Sequence, residues 1–171
     1  MAKDFPLAKI EANKVLEESR NIPALAYACK PSQWYLDFMI PFMEKNGAFP
    51  AGTISAFGNH YCMVPLPMKW NDANAFAQRL GGHLATIASN EKWTWLQQAF
   101  TNLDYTYLGG FKEGNSGKRK WVTGEKWDFA AWAPSQPNNN SGRESAIIVY
   151  LNYLYDADKT SAYKFIIEWN R

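Results

Sequence analysis

The stretch that organises this chain is Gly81-Gly82-His83-Leu84-Ala85-Thr86-Ile87-Ala88-Ser89-Asn90-Glu91. It follows a segment whose apolar residues recur at helical spacing, namely Trp70, Ala73, Phe76, Ala77 and Leu80. Glycine enters the left-handed conformation at little cost, so the glycine pair predicts the end of that helix. Residues 84–87 then predict a short strand, and Ser89 predicts the N-cap of a second helix running to Phe100.

Short strands and one polar loop make up the rest of this half of the chain. β-Branched and aromatic residues predict strands at 59–65, 105–109, 120–123, 146–151 and 163–169. Residues 133–145 are almost wholly polar, glycine or proline, which predicts a surface loop. This order of elements indicates an α+β domain rather than alternating βαβ units.

Residues 1–55 have a different pattern of apolar and polar residues. They are expected to form an N-terminal helical extension and linker, and 56–171 the main domain. Helical spacing predicts one helix at 4–19 and a second, aromatic helix at 32–43 that Pro41 kinks or ends. We expect the apolar stripe of the second helix to pack on the following domain. The alternative is that it docks on a larger parent protein or a neighbouring subunit.

Composition narrows the classes of partner. The 171 residues carry a net charge of only +2, and Lys118-Arg119-Lys120 is interpreted as the solvated shoulder of a hairpin, so no nucleic-acid partner is expected. No apolar run is long enough for membrane insertion, and the first residues lack an apolar signal core. These features predict a cytoplasmic protein, one exported by a signal-free route, or a piece of a larger chain.

Two cysteines and two histidines offer little metal chemistry. Cys29 and Cys62 are interpreted as buried thiols acting as small hydrophobes, although pairing between them stays open. His60 and His83 stand alone, and no spacing suggests a zinc site.

An ordered series of motifs carries a family resemblance. The series runs Trp70-x-x-Ala73, residues 81–91, Tyr107-Leu108-Gly109-Gly110, Trp121-Val122-Thr123-Gly124-Glu125, Trp132-Ala133-Pro134, Gln136-Pro137-Asn138-Asn139 and Phe165-Ile166-Ile167-Glu168. Over about residues 56–169 it resembles C-type-lectin-like domains. The resemblance implies a doubly looped domain whose termini pair and whose long loop region holds the ligand site. The polar stretch at 133–145 agrees with that implication.

The resemblance also implies two disulfides that this chain lacks. The matching positions hold Ala77 and Ile167 for one bridge, and Ala146 and Lys159 for the other. A structural disulfide typically contributes about 2–4 kcal/mol, so packing must offset the loss. The missing bridges suggest a reducing compartment, or a disulfide-free bacterial or phage lineage.

Sugar-binding relatives hold calcium with oxygen ligands, and the resemblance carries four of those positions onto this chain: Gln136, Asn138, Glu144 and Asp156. Tyr155 replaces an amide ligand, and Leu154 replaces the tryptophan that usually precedes it. Calcium takes six to eight oxygens and its affinity follows the number of negative ligands, so the set predicts a weak calcium site at most. The other reading is a metal-independent surface, in which tryptophans and tyrosines supply apolar contacts and the asparagines adaptable hydrogen bonds.

We therefore expect a non-enzymatic module that recognises a carbohydrate or a protein surface through the 133–156 region, with no cofactor required and calcium as an option. The expected ligand-binding residues are Gln136, Asn138, Asn139, Asn140, Glu144, Tyr155 and Asp156. The alternatives are an accessory module of a larger bacterial protein, or a diversified receptor-binding protein without sugar binding. An enzyme is disfavoured because no histidine lies beyond His83 and no cysteine beyond Cys62.

Overall fold

The structure is a computed structural model that describes residues 49–50, 52–114, 117–129 and 131–170. A compact unit spans Ile54–Arg171. The helices expected at 4–19 and 32–43, and Cys29, lie outside the described residues, so these expectations and the boundary at residue 56 stay predictions. No helix within the described ranges has the length and apolar character that a membrane crossing requires.

The described part of this unit contains eight strands and two α-helices. In chain order they are β1 (Ile54–Ala56), β2 (Asn59–Met68), α1 (Trp70–Arg79), β3 (His83–Leu84), α2 (Asn90–Ala99), β4 (Thr106–Lys112), β5 (Arg119–Trp121), β6 (Glu144–Tyr150), β7 (Tyr153–Asp158) and β8 (Tyr163–Asn170). One 3-10 turn, Asn140–Gly142, precedes β6. This content agrees with the predicted α+β class.

All eight strands join one sheet. The main path runs β1-β2-β8-β4-β6-β7, with β3 beside β8 and β5 beside β4. The paired strands are antiparallel except for β4 and β8. The first long strand pairs with the last, in a register from Asn59 opposite Asn170 to Val64 opposite Phe165. The implied pairing of the domain's termini is therefore confirmed.

The helix ends follow the sequence signals. Gly81 lies at φ +77°, and the Gly82 N–H donates to the Ala77 carbonyl at 3.0 Å, which closes the C-terminus of α1 as predicted. Ser89 caps α2, since its Oγ accepts from the Lys92 N–H at 3.2 Å. At the start of α1, by contrast, the N-cap residue Lys69 makes no side-chain capping hydrogen bond.

The core lies between α2 and one face of the sheet. Its fully buried members come from α2 and the segment before it, and from six strands (β2, β4, β5, β6, β7 and β8): Tyr61, Ala85, Ile87, Leu96, Leu108, Trp121, Ile147, Val149, Leu154 and Ile166. On the opposite face α1 packs against the sheet, where Phe76 meets Phe165 at 5.8 Å between ring centroids and Trp70 meets Phe111 at 5.6 Å. Cys62 is buried, as expected of a small hydrophobe.

The structure corrects the sequence interpretation in three places. Of the stretch expected as a strand at 84–87, only Leu84 belongs to a strand, because β3 spans His83–Leu84. Residues 153–156, the last part of the predicted 133–156 recognition region, belong to strand β7. Arg119, interpreted as part of a solvated shoulder, turns inward to form an ion pair with Asp156, while its neighbours Lys118 and Lys120 are exposed.

Candidate ligand-binding loop

The polar loop occupies residues 133–143, and β6 begins directly after it at Glu144. Three non-glycine residues in it, Ser135, Asn139 and Ser141, have φ of 63°, 48° and 56°. Such left-handed backbone costs free energy in residues other than glycine, so surrounding contacts must hold it. The region that the resemblance assigned to ligand binding is thus a tightly folded loop.

Asp156 is the principal anchor of this loop. The residue is buried, and its carboxylate accepts from two consecutive backbone N–H groups, that of Asn138 at 3.0 Å and that of Asn139 at 2.9 Å. Arg119 Nη2 donates to the same carboxylate at 3.2 Å. Charge-assisted hydrogen bonds of this kind are stronger than neutral ones, so β7 fixes the shape of the loop through a single side chain.

Glu144 provides a second anchor at the start of β6. Its Oε2 accepts from the Asn140 N–H at 2.6 Å, which ties the 3-10 turn to the sheet. Burial raises the pKa of the Glu144 carboxyl, and the negative charges of Asp156 and Asp158 raise it further, although the hydrogen bond from Asn140 acts in the opposite direction. The two anchoring carboxylates therefore share one electrostatic neighbourhood.

A stack of tryptophan rings also contacts the Arg119 guanidinium, in addition to the Asp156 carboxylate. The Arg119 guanidinium lies 5.0 Å from the ring centroid of Trp132, a cation–π distance. Trp132 stacks on Trp127 with 6.2 Å between ring centroids, and Trp127 stacks on the buried Trp121 with 4.3 Å between ring centroids. Trp121 belongs to the core, whereas Trp127 and Trp132 are half-buried. The stack fixes the guanidinium at the Asp156 carboxylate.

Tyr155 does not join the loop side chains. Successive side chains of a strand point to opposite faces, and Leu154 and Asp156 face the buried side of β7. The Tyr155 ring instead contacts Tyr150 at 5.4 Å, on the reverse face. There it joins a tyrosine cluster in which Tyr105 lies 4.6 Å from Tyr150 and 5.5 Å from Tyr163, and a hydrogen bond to Tyr150 raises the pKa of Tyr105.

The remaining predicted residues are brought together. Gln136, Asn138, Asn139, Asn140, Glu144 and Asp156 form one hydrogen-bonded loop. Much of the predicted 133–156 region is not available to a ligand, however. Strands β6 and β7 lie within it and supply buried core residues such as Ile147, Val149 and Leu154. Within the described residues, no group of three or more histidine, cysteine, aspartate or glutamate side chains is placed to hold a metal ion.

Sequence reasoning missed Arg119. The only available signal was its alternation with two lysines on a short strand, which places its side chain on the opposite face from theirs. That signal does not name Asp156 as the partner, because the two residues lie 37 positions apart in the chain.

Comparison with known proteins identifies the family of this chain. The model of the lectin C-type domain matches residues 66–166, which is more than half of the chain. The chain belongs to the C-type lectin domain family. This confirms the family suggested by the motif series and the expectation of a lectin-like binding module.

Individual relatives are distant. Ladderlectin of Oncorhynchus mykiss is 24% identical over 110 residues, covering 62% of this chain and 58% of that protein. Lectin BRA-3 of Megabalanus rosa is 27% identical over 95 residues, covering 54% and 58%. The hemolymph lipopolysaccharide-binding protein of Periplaneta americana is 33% identical over 113 residues, covering 56% and 43%. The chain thus spans less than two thirds of these relatives.

Solved structures agree on the fold. The carbohydrate-recognition domain of the human scavenger receptor C-type lectin superposes with a TM-score of 0.67 at 20% identity, covering 72% of this chain and all of that domain. A calcium-independent type II antifreeze protein superposes with a TM-score of 0.64 at 21% identity, covering 72% and 95%. At these identities the likeness establishes architecture, and the predicted C-type-lectin-like fold is confirmed.

Proposed function

We propose that this C-type lectin domain is a non-enzymatic module that binds a glycan through the loop at 133–144 without calcium. Family membership supports ligand binding by this fold. The observation that carries the absence of a metal requirement is the ion pair between Arg119 and Asp156.

Arg119 supplies the positive charge beside Asp156 that a bound calcium ion would otherwise supply. The Asp156 carboxylate already has a guanidinium at 3.2 Å and two backbone N–H donors, and its side chain is 1% exposed. A calcium ion using this carboxylate would have to displace a positive charge and those donors, and the displaced Arg119 would lose its counter-charge. Removing one partner from a buried pair typically costs several kcal/mol, so exchange of arginine for calcium is unfavourable.

The other three oxygen ligands suggested by the resemblance are also engaged within the loop. Gln136 Oε1 accepts from the Asn138 N–H at 3.3 Å, Asn138 Oδ1 from the Asn140 N–H at 2.9 Å, and Glu144 Oε2 from the same N–H at 2.6 Å. Calcium takes six to eight oxygens, and each one recruited here would give up a backbone hydrogen bond that shapes the loop. As arranged, the residues do not fit the ion.

Thermal melting of the full chain tests the metal requirement. A ligand that binds only the folded state raises the melting temperature, so we expect the same Tm in millimolar calcium and in EDTA. We expect the same set of bound glycans on an array under both conditions. A calcium-dependent rise in Tm, or glycan binding that EDTA abolishes, would show that the metal-independent assignment is wrong.

Loop variants test where the glycan binds. Replacing Asn138 or Asn140 by alanine removes exposed polar contacts and should weaken glycan binding. Gln98→Ala, on an exposed position of α2, is the matched control and should leave binding unchanged. Release of products from generic glycoside substrates would contradict the non-enzymatic assignment.

A further inference from the structure

The tyrosine cluster on the reverse sheet face is a connected series of five rings that the proposed function does not use. Tyr105 contacts Tyr150 with 4.6 Å between ring centroids and Tyr163 with 5.5 Å. Tyr163 contacts Tyr107 at 5.1 Å, and Tyr150 contacts Tyr155 at 5.4 Å. Adjacent phenol rings are the substrates of oxidative tyrosine coupling, in which a carbon–carbon bond joins the two rings.

Tyr105 and Tyr150 are the pair that the sheet places side by side. Tyr105 directly precedes β4, and the register that pairs Thr106 with Val149 continues to set Tyr105 opposite Tyr150. Opposed residues of antiparallel strands have Cβ atoms about 4.5–5.5 Å apart, so the two side chains leave the sheet together. Their rings are tilted by 34° and have the shortest centroid distance of the tyrosine pairs in the described part of the chain.

Exposure and hydrogen bonding favour this pair over the pair of Tyr107 with its neighbour. Tyr105 is 47% exposed, which gives an external oxidant access to its ring. Tyr107 is fully buried, and its hydroxyl donates to the carbonyl oxygens of Asp158 at 3.0 Å and Ser161 at 2.8 Å, which cannot take up the phenol proton. A hydrogen bond to Tyr150 raises the pKa of Tyr105, so the Tyr105 phenol is neutral at physiological pH.

We propose that Tyr105 and Tyr150 form an oxidative crosslinking site, at which a peroxidase with hydrogen peroxide joins the start of β4 to the end of β6 by a dityrosine bond. Each phenol loses one electron and one proton, and the two phenoxyl radicals join through a bond between ortho carbons. The hydrogen on each of those carbons then moves to the phenol oxygen, which restores both aromatic rings. One hydrogen peroxide takes up the two electrons and two protons and becomes two molecules of water.

The crosslink supplies a covalent constraint that the chain otherwise lacks. Neither disulfide that the family resemblance implies can form, because none of the four matching positions holds a cysteine. Joining two residues that are distant in the chain stabilises a fold mainly by restricting the unfolded state. The Tyr105–Tyr150 bond does this for β4 and β6, which are neighbouring strands in the middle of the sheet.

The test treats the full chain, at low protein concentration, with a haem peroxidase and one equivalent of hydrogen peroxide. We expect a monomeric product that has lost two hydrogen atoms, shows dityrosine fluorescence and yields one crosslinked peptide pair containing Tyr105 and Tyr150. Its Tm should exceed that of the untreated chain by about 10 °C. A monomer without dityrosine, a crosslink mapped to another pair, or an unchanged Tm in the crosslinked monomer would overturn the proposal.

Two single-hydroxyl deletions test whether the position of the pair, rather than exposure, directs the reaction. Tyr105→Phe keeps the ring but removes the hydroxyl, and it should abolish the crosslink in the monomer. Tyr153→Phe is the matched control: Tyr153 is also 47% exposed, but in the described part of the chain its ring lies outside the connected series. Its crosslink yield should equal that of the wild type. Full yield in Tyr105→Phe, or equal losses in both variants, would count against the assigned pair.

Discussion

At the scale of single residues, two acidic side chains determine the shape of the candidate site. Asp156 and Glu144 lie on adjacent strands, and together they accept three backbone N–H groups from residues 138–140. Arg119 supplies the compensating charge from β5. The cation that faces Asp156 is thus one that the chain itself supplies.

Asp156→Asn should lower the free energy of unfolding by about 3 kcal/mol, because it leaves Arg119 without its counter-charge and turns an NH2 group toward a backbone N–H. Urea denaturation followed by tryptophan fluorescence measures the change. Asp128→Asn is the matched control: its partner Lys126 and its own side chain are 84% and 57% exposed, so the loss should stay within about 0.5 kcal/mol. Equal stability of the two variants would argue against the anchoring role of Asp156.

Glu144 should make the protein more stable at mildly acidic pH than at neutral pH. The pKa of its carboxyl is raised above 4.5 in the folded chain, so the folded state favours the protonated form. That contribution to stability is complete below the unfolded pKa and is lost as the pH rises through the folded pKa.

Glu144→Gln should therefore raise the Tm slightly at neutral pH and reduce the fall in Tm between about pH 4 and pH 7, relative to the wild type. The amide oxygen keeps the acceptor for the Asn140 N–H. Differential scanning calorimetry over this range checks the expectation, and a fall in Tm as steep in the variant as in the wild type would show that Glu144 does not contribute to it.

At the scale of elements, close approaches to two glycines of β4 determine how tightly the segment after β3 and strand β6 pack against β4. A Cβ added at Gly109 would lie 2.5 Å from the Leu84 carbonyl oxygen, which is rigid backbone. A Cβ at Gly110 would lie 2.7 Å from the Ile147 side chain, which has some freedom to move. The Gly109 N–H also donates to the Ala85 carbonyl at 2.8 Å, so β4 and the segment after β3 lie in direct backbone contact.

Gly109→Ala should destabilise the domain by about 3 kcal/mol or more, and Gly110→Ala by less, because backbone yields less readily than a side-chain methylene. Chemical denaturation of both variants gives the comparison. The reverse order of stability would show that the approach of β4 to residue 84 is looser than the structure indicates.

At the scale of the whole molecule, one buried carboxylate connects segments from both ends of the domain. Glu168 on β8 accepts from Lys92 Nζ at 2.7 Å on α2, from the Tyr61 hydroxyl at 3.0 Å on β2, and from the Thr86 N–H at 3.0 Å. Asn59 Nδ2 adds a fourth bond at 2.7 Å. Burial and the charge of Glu168 raise the pKa of the Tyr61 hydroxyl, which therefore stays a donor at physiological pH.

Lys92→Met should cost about 3–5 kcal/mol, since it leaves Glu168 as a buried charge without its cation. Lys120→Met is the matched control, because the Lys120–Glu113 pair is 50% and 49% exposed and should contribute no more than about 1 kcal/mol. Both values come from urea denaturation. A Lys92→Met variant as stable as the control would mean that the hydrogen bonds of Asn59, Tyr61 and Thr86 satisfy Glu168 by themselves.

The sequence by itself determined helices α1 and α2, their ends and the family, because these depend on local patterns. The helical spacing from Trp70 to Leu80, the glycine pair and Ser89 each act within a few residues, and the structure reproduces all three. The ordered motifs between Trp70 and Glu168 likewise indicated the family without coordinates.

Tertiary structure alone decided β7 and the site. The sequence Tyr153-Leu154-Tyr155-Asp156-Ala157-Asp158 carries two aspartates, which are uncommon in strands, and it is held as an edge strand by pairing with β6. Once it is a strand, its alternation separates Tyr155 from Asp156. The bonds that shape the loop join Asp156 to Asn138 across 18 residues and to Arg119 across 37. Pairings at such separations depend on the folded path of the chain, and no local pattern specifies them.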